Sequence, residues 1–181
     1  VVAIVGGVAG IALAAPERTT EHAGTAAIAL ALALVAIPAL APYAMRSWAS
    51  AIGILATVSA GCGYAWTAIA SKLLTDELAA GALLVAVAWL ATAAASEGLA
   101  LLSEMSALQR RAATHVAPAM FAVQIIVPVL LAPLIFGESW AETPLGGAVL
   151  VGSMVVAVAG TVLLAGSRSV GAVIEAAHAD E

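Results

Sequence analysis

The chain has 181 residues, of which 64% are hydrophobic and only 9% charged, with a mean hydropathy of +1.12. A soluble domain of this size needs roughly a quarter of its residues charged, so the composition describes an all-α, polytopic transmembrane helix bundle solvated by the lipid bilayer. The net charge of −5, from 11 acids and six bases, leaves no basic patch to neutralise phosphates and excludes nucleic acid as a partner.

Six apolar segments follow one another. The first, Val1–Ala15, opens without Met or a basic region and stops at Pro16. It lacks the positive n-region and the cleavage site of a signal peptide, so we expect a fragment whose earlier helices are missing. The second, Thr25–Leu40, has Pro38 near its end. Both are marginal in length, whereas the other four are long enough to cross a bilayer. These are Trp48–Ser71, about Ala79–Leu108, Ala112–Phe136 and Leu145–Ala165. Ala, Gly and Ser dominate them, and such small residues let helix backbones approach closely where lipid removes the hydrophobic drive.

The fourth segment is too long. Thirty residues of helix span about 45 Å, against a hydrocarbon core of roughly 30 Å. Either it breaks at Ser96-Glu97-Gly98, as transporter helices do at mid-membrane sites, or residues 73–84 form an interfacial stretch before one tilted helix. A faint repeat links Val8–Ala15 to Val158–Ala165. Composition alone produces such a match, and so does an inverted repeat.

Four of the six bases (Arg46, Arg110, Arg111 and Arg168) lie in alternate loops and the tail, while Arg18 and Lys72 lie in the others. The positive-inside rule then makes the second-to-third loop, the fourth-to-fifth loop and the C-terminus cytoplasmic.

Glu97 and Glu104 are carboxylates within apolar sequence, seven residues apart on one helix face. Charge at membrane depth is costly and marks cavities, partners and transport paths. Glu97 must pair, hydrate or take up a proton, which either couples proton binding to solute binding or caps a broken helix. Glu104, nearer the cytoplasmic end, either joins that site or reaches Arg110 and Arg111. Gln124 lies midway along the fifth segment and offers an amide to a solute or to a neighbouring helix. Tyr64 and Trp66, in Gly61-Cys62-Gly63-Tyr64-Ala65-Trp66, either line a pocket or anchor the segment at the interface. Trp48 and Trp140 read as belt residues. Gly98, Pro118, Pro128 and Pro133 are the candidate kink or gating positions, since each proline removes an amide donor and clashes with the preceding turn.

Other chemistries leave no trace. There is no phosphate loop with its Lys and no nucleophile motif, and His22, His115 and His178 are too scattered for a zinc motif. A selectivity-filter run is also missing. Cys62 stands alone, so no intrachain disulfide forms. We expect no enzyme activity, no cofactor and no resident metal.

The stretch Ser106-Ala107-Leu108-Gln109, Val116-Ala117-Pro118, Pro128-Val129-Leu130 and Phe136-Gly137-Glu138, followed by glycines from Gly146-Gly147 to Gly160, resembles the drug/metabolite transporter superfamily, in its EamA-like branch. Tyr64-Ala65-Trp66-Thr67 and Lys72-Leu73 look like the opening helix of the second repeat there. The resemblance is closest to compact actinobacterial members, themselves distantly similar to magnesium transporters. It implies inverted repeats, alternating access across a bacterial inner membrane and a cytoplasmic C-terminus. It also implies an organisation into residues 1–15 (last helix of a truncated first repeat), 16–46 (linking loop and helix), 47–167 (second repeat of four helices) and 168–181 (acidic cytoplasmic tail). Glu138, at a helix end, is structural in this reading.

The expected function is a gradient-driven secondary transporter of a small metabolite or drug-like solute, with protons as a coupling ion. The missing N-terminal helices, or a second copy in a homodimer, would complete it, so residues 1–181 alone are expected to lack transport. The alternatives are a divalent-cation carrier using Glu97, Glu104 and Gln124, and a non-transporting membrane scaffold.

Overall fold

Long runs of Ala, Val and Leu satisfy their backbone groups most simply within single helices, and lipid allows little else. The computed structural model describes residues 2–14, 24–45, 52–137, 143, 145 and 147–165, and among them forms six helices. These are α1 (Val2–Ala14), α2 (Thr25–Ala44), α3 (Ile52–Ala79), α4 (Leu83–Leu108), α5 (Ala113–Phe136) and α6 (Ala148–Ala165). Four stretches are long and apolar enough to cross a membrane: Ala26–Ala44, Ile52–Ala79, Leu83–Leu108 and Ala113–Phe136. Trp48, Trp140, Glu138, Arg18, Arg46, Arg168 and the tail lie outside the described residues.

Two expectations are corrected, and of the two readings of the fourth segment the unbroken helix is the one observed. The second segment is a full-length span, because Pro38 and Pro42 stay inside α2 and the helix runs on to Ala44. The sixth is shorter than expected, since Leu145 adopts φ 55° and α6 begins only at Ala148. The fourth does not break: α4 is helical through Ser96, Glu97 and Gly98. One glycine costs a helix only about 1 kcal/mol, and Ser96 is tied back to Ala93 O at 2.9 Å and across to Thr67 at 2.8 Å. The excess length belongs to α3 instead. Its apolar part, Ile52 to Ser71, already spans about 30 Å. The helix then continues through Lys72, Asp76 and Glu77, where Lys72 Nζ meets Asp76 Oδ2 at 3.3 Å.

The three-residue turn Ala80-Gly81-Ala82, with Gly81 at φ 76°, folds α4 back antiparallel on α3. Buried positions on α4 are all Ala or Ser: Ala86, Ala93, Ser96, Ala100, Ser103 and Ala107. From Ala93 they alternate in steps of three and four, which gives a straight seam that packs at a shallow angle. The fit is tight, for a Cβ on Gly63 would lie 2.8 Å from that of Ala100.

α5 runs parallel to α3, with Val123 against Gly61 and the Phe136 ring under Lys72, 3.8 Å from Nζ to centroid. All three prolines lie inside α5, which stays one helix and stops at Gly137 in a left-handed cap. α1 and α6 form an antiparallel pair, with Gly7 against Ala157 and Gly160 against Ile4.

The main apolar core joins α2 (Val35, Ala39), α3 (Ile69, Leu73) and α5 (Ile135, Phe136). Large aliphatic side chains cover the outside, among them Leu83, Leu84, Val87 and Leu102 on α4 and Val155, Val162 and Leu163 on α6. So many exposed large apolar side chains are unusual for a soluble monomer and are compatible with a membrane protein.

Candidate functional site

The polar groups of the middle helices converge because each helix repeats every three to four residues. On α3, Tyr64, Thr67 and Ala68 share a face. On α4, Glu97 and Glu104 are two turns apart. On α5, Met120, Phe121 and Gln124 fall within one turn. These eight residues line a cavity of about 450 Å³ between the three helices.

Its chemistry is one-sided. Tyr64 donates its hydroxyl proton to Glu104 Oε2 at 2.5 Å, a short charge-assisted hydrogen bond. Glu104 therefore turns to Tyr64 rather than to Arg110 or Arg111. Glu97 and Gln124 make no hydrogen bond or ion pair with another described residue. Among the described residues, no Lys, Arg or His lines the cavity. Two carboxylates thus concentrate negative charge in a partly enclosed space where field lines are screened less than in water. Pro128, which does not line the cavity, has no amide to give the carbonyl of Gln124 four residues before it.

Among the described residues no group of three or more His, Cys, Asp or Glu is placed to hold a metal ion. The oxygen set of two carboxylates and one amide is thin for a resident divalent cation, which takes six or more oxygens.

Four of the five residues expected at a binding site (Glu97, Glu104, Gln124 and Tyr64) line this cavity. Trp66 does not. It packs against the apolar core of α2, α3 and α5, with its indole nitrogen buried and unpartnered. Two residues along a helix is a turn of about 200°, so Tyr64 and Trp66 face opposite ways. Gly98 is exposed on the outer side of α4, with nothing within 4 Å of a Cβ placed there. Thr67, Ala68, Met120 and Phe121 were not anticipated. The signal was available, since Thr67 and Ala68 stand three and four residues after Tyr64, and Met120 and Phe121 stand four and three before Gln124.

A larger groove of about 590 Å³ between α5 and α6 is walled by aliphatic side chains such as Leu130, Met154 and Val158. It offers nothing to hold a polar solute.

A second polar cluster joins α2, α3 and α4. Ser59 donates to Ala39 O, Ser103 lies 2.8 Å from Ser59, and Tyr43 lies 2.8 Å from Ser103. Each hydroxyl has one proton, so the order is forced: Tyr43 donates to Ser103, and Ser103 to Ser59.

No protein-family model, curated protein or solved structure matches the chain.

Proposed function

We propose that the protein is a gradient-driven secondary transporter in which the cavity between α3, α4 and α5 binds a small, positively charged solute, with a proton as its competitor. The observation that carries this reading is the placement of Glu97, Glu104, Tyr64 and Gln124 on one cavity with no basic residue facing them among the described residues. A cation or a proton neutralises such a site, whereas an anion would meet two like charges. An intramembrane carboxylate without a fixed partner can exchange one for the other, which is the coupling a proton-driven carrier needs. The resemblance to the drug/metabolite transporter superfamily supports the same class, and with it an inverted-repeat architecture completed by further helices or a second copy. A purely structural scaffold would hold Glu97 and Gln124 in helix contacts, and their exposure to a shared cavity argues for the carrier.

The test is proton release into the lumen or medium of proteoliposomes containing a trapped pH-sensitive dye. Tetramethylammonium, benzylammonium and Mg²⁺ are added in parallel under an imposed pH gradient. An organic cation should discharge the gradient in wild type and not in Glu97→Gln. Discharge by Mg²⁺ alone would favour the divalent-cation reading. Because an incomplete carrier could bind without transporting, the same cations are also titrated onto the protein in detergent, and binding that is equal in wild type and Glu97→Gln would overturn the carrier.

A further inference from the structure

A second polar cavity, of about 360 Å³, lies between α2, α3 and α4 at the end where α4 hands over to α5. That volume is within the range of roughly 300–1,000 Å³ usual for small-ligand sites. Its polar lining divides into donors and acceptors. Arg110 and Gln109, just beyond the last turn of α4, make no side-chain bond to another described residue. They present a guanidinium fork and an amide.

Tyr43 stands across on α2 and Ser106 one turn back on α4, and the protons of both are already committed. Tyr43 gives its proton to Ser103 in the chain that ends on Ala39 O, and Ser106 donates to Leu102 O at 2.8 Å. Both oxygens can therefore only accept. Pro42, Ile52 and Ala56 supply an apolar wall.

A ligand that satisfies this arrangement carries an anion for Arg110 and Gln109 and, a few bonds away, a hydroxyl donor for Tyr43 and Ser106. In a membrane-embedded bundle the cavity sits at a helix end, at the level where lipid phosphates lie. Guanidinium forks match phosphate oxygens with two parallel hydrogen bonds, and basic pockets between membrane helices bind anionic headgroups. We infer that this cavity is a binding site for a phosphate ester bearing a free hydroxyl, of the glycerol phosphate type. A phosphatidylglycerol headgroup and free glycerol phosphate share that chemistry.

The experiment is a binding measurement on the whole protein in detergent, by native mass spectrometry for lipids and by calorimetry for sn-glycerol 1-phosphate. Phosphatidylglycerol is compared with phosphatidylmethanol, which has the same charge and no headgroup hydroxyl. We expect phosphatidylglycerol to bind about tenfold more tightly, the value of one to two hydrogen bonds. Arg110→Gln should weaken both lipids. Ser106→Ala, which removes only an intrahelical bond on an accessible face, should shrink the difference between them without unfolding the protein. Binding of glycerol phosphate at matching affinity would identify the soluble source, and binding of the lipid alone the membrane source. Equal binding of the two lipids, or affinities untouched by Arg110→Gln, would overturn the proposal.

Discussion

Glu97 and Glu104 line the same cavity but are held differently. Glu104 already accepts a hydrogen bond from Tyr64, and a glutamine at that position can accept it through its carbonyl. Glu97 has no such partner among the described residues. Cation binding followed by intrinsic fluorescence should therefore weaken about tenfold in Glu97→Gln, but only about threefold in Glu104→Gln. Equal losses would mean that Tyr64 does not shield Glu104. Gly98 gives a prediction of opposite sign. It lies in an unbroken helix with open space where a Cβ would go, so Gly98→Ala should stabilise the protein by about 0.5–1 kcal/mol. A raised unfolding midpoint in detergent titration would match this, and a lowered one would restore Gly98 as a hinge. These polar residues were legible in the sequence because a carboxylate or amide within apolar sequence stands out wherever it folds. Thr67, Met120 and Phe121 were not, since ordinary residue types become cavity walls only through helix packing. Trp66 misled because neighbours along a chain are not neighbours on a helix.

At the scale of helices, the α3–α4 hairpin is fixed by small residues and by hydroxyl bonds that fit only one register. A Cβ on Gly63 would come within 3.1 Å of the Ala100 backbone as well as 2.8 Å of its side chain. Both helices are anchored, so neither can withdraw cheaply, and Gly63→Ala should destabilise by about 1–3 kcal/mol. An unchanged unfolding midpoint would mean that the two helices are farther apart than described. The buried bonds act together. Ser103→Ala takes a donor from Ser59 and an acceptor from Tyr43, at a cost of about 0.5–1.5 kcal/mol, with membrane hydrogen bonds toward the low end. Adding Ser59→Ala should cost less than its separate effect, because the shared bond is already gone. The existence of each helix followed from apolar length alone. Helix ends did not: Pro38 and Pro42 mimic stops, yet lipid gives the backbone nothing better than a helix. Lys72, Asp76 and Glu77 also look like a loop when they are the water-facing last turns of α3. Which residues of α3 and α4 meet depends on alternating small residues, a pattern hidden where Ala and Gly are everywhere.

For the whole molecule, the packing decides which loops share an end, and charge then decides which side that end faces. Tyr43 near the end of α2 meets Ser103 near the end of α4, and Arg111 lies against Gly53 in the first turn of α3. α6 is antiparallel to α5, since Thr161 near its end shares a cavity wall with Ala117 and Pro118 near the start of α5. The ends of α2, α4 and α6 therefore lie together. The turn Ala80-Gly81-Ala82 and the end of α5 at Gly137 lie at the other end. In the sequence, Arg46, Arg110, Arg111 and Arg168 follow α2, α4 and α6, whereas Arg18 follows α1 and Lys72 lies toward the end of α3. By the positive-inside rule, four bases against two predict that the first end faces the cytoplasm, an expectation that labelling tests. In a Cys62→Ala background, a cysteine replacing Gly81 should react with an impermeant thiol reagent in intact cells. A cysteine replacing Ala112 should react only after the membrane is opened. Gly81 adopts positive φ with free space around it, so a second probe at the exposed Ala80 guards against a misfolded turn. Labelling of position 112 in intact cells, with 80 and 81 protected, would invert the orientation. Labelling of 80 and 112 together from outside would contradict the up-and-down order of α3 and α4 itself.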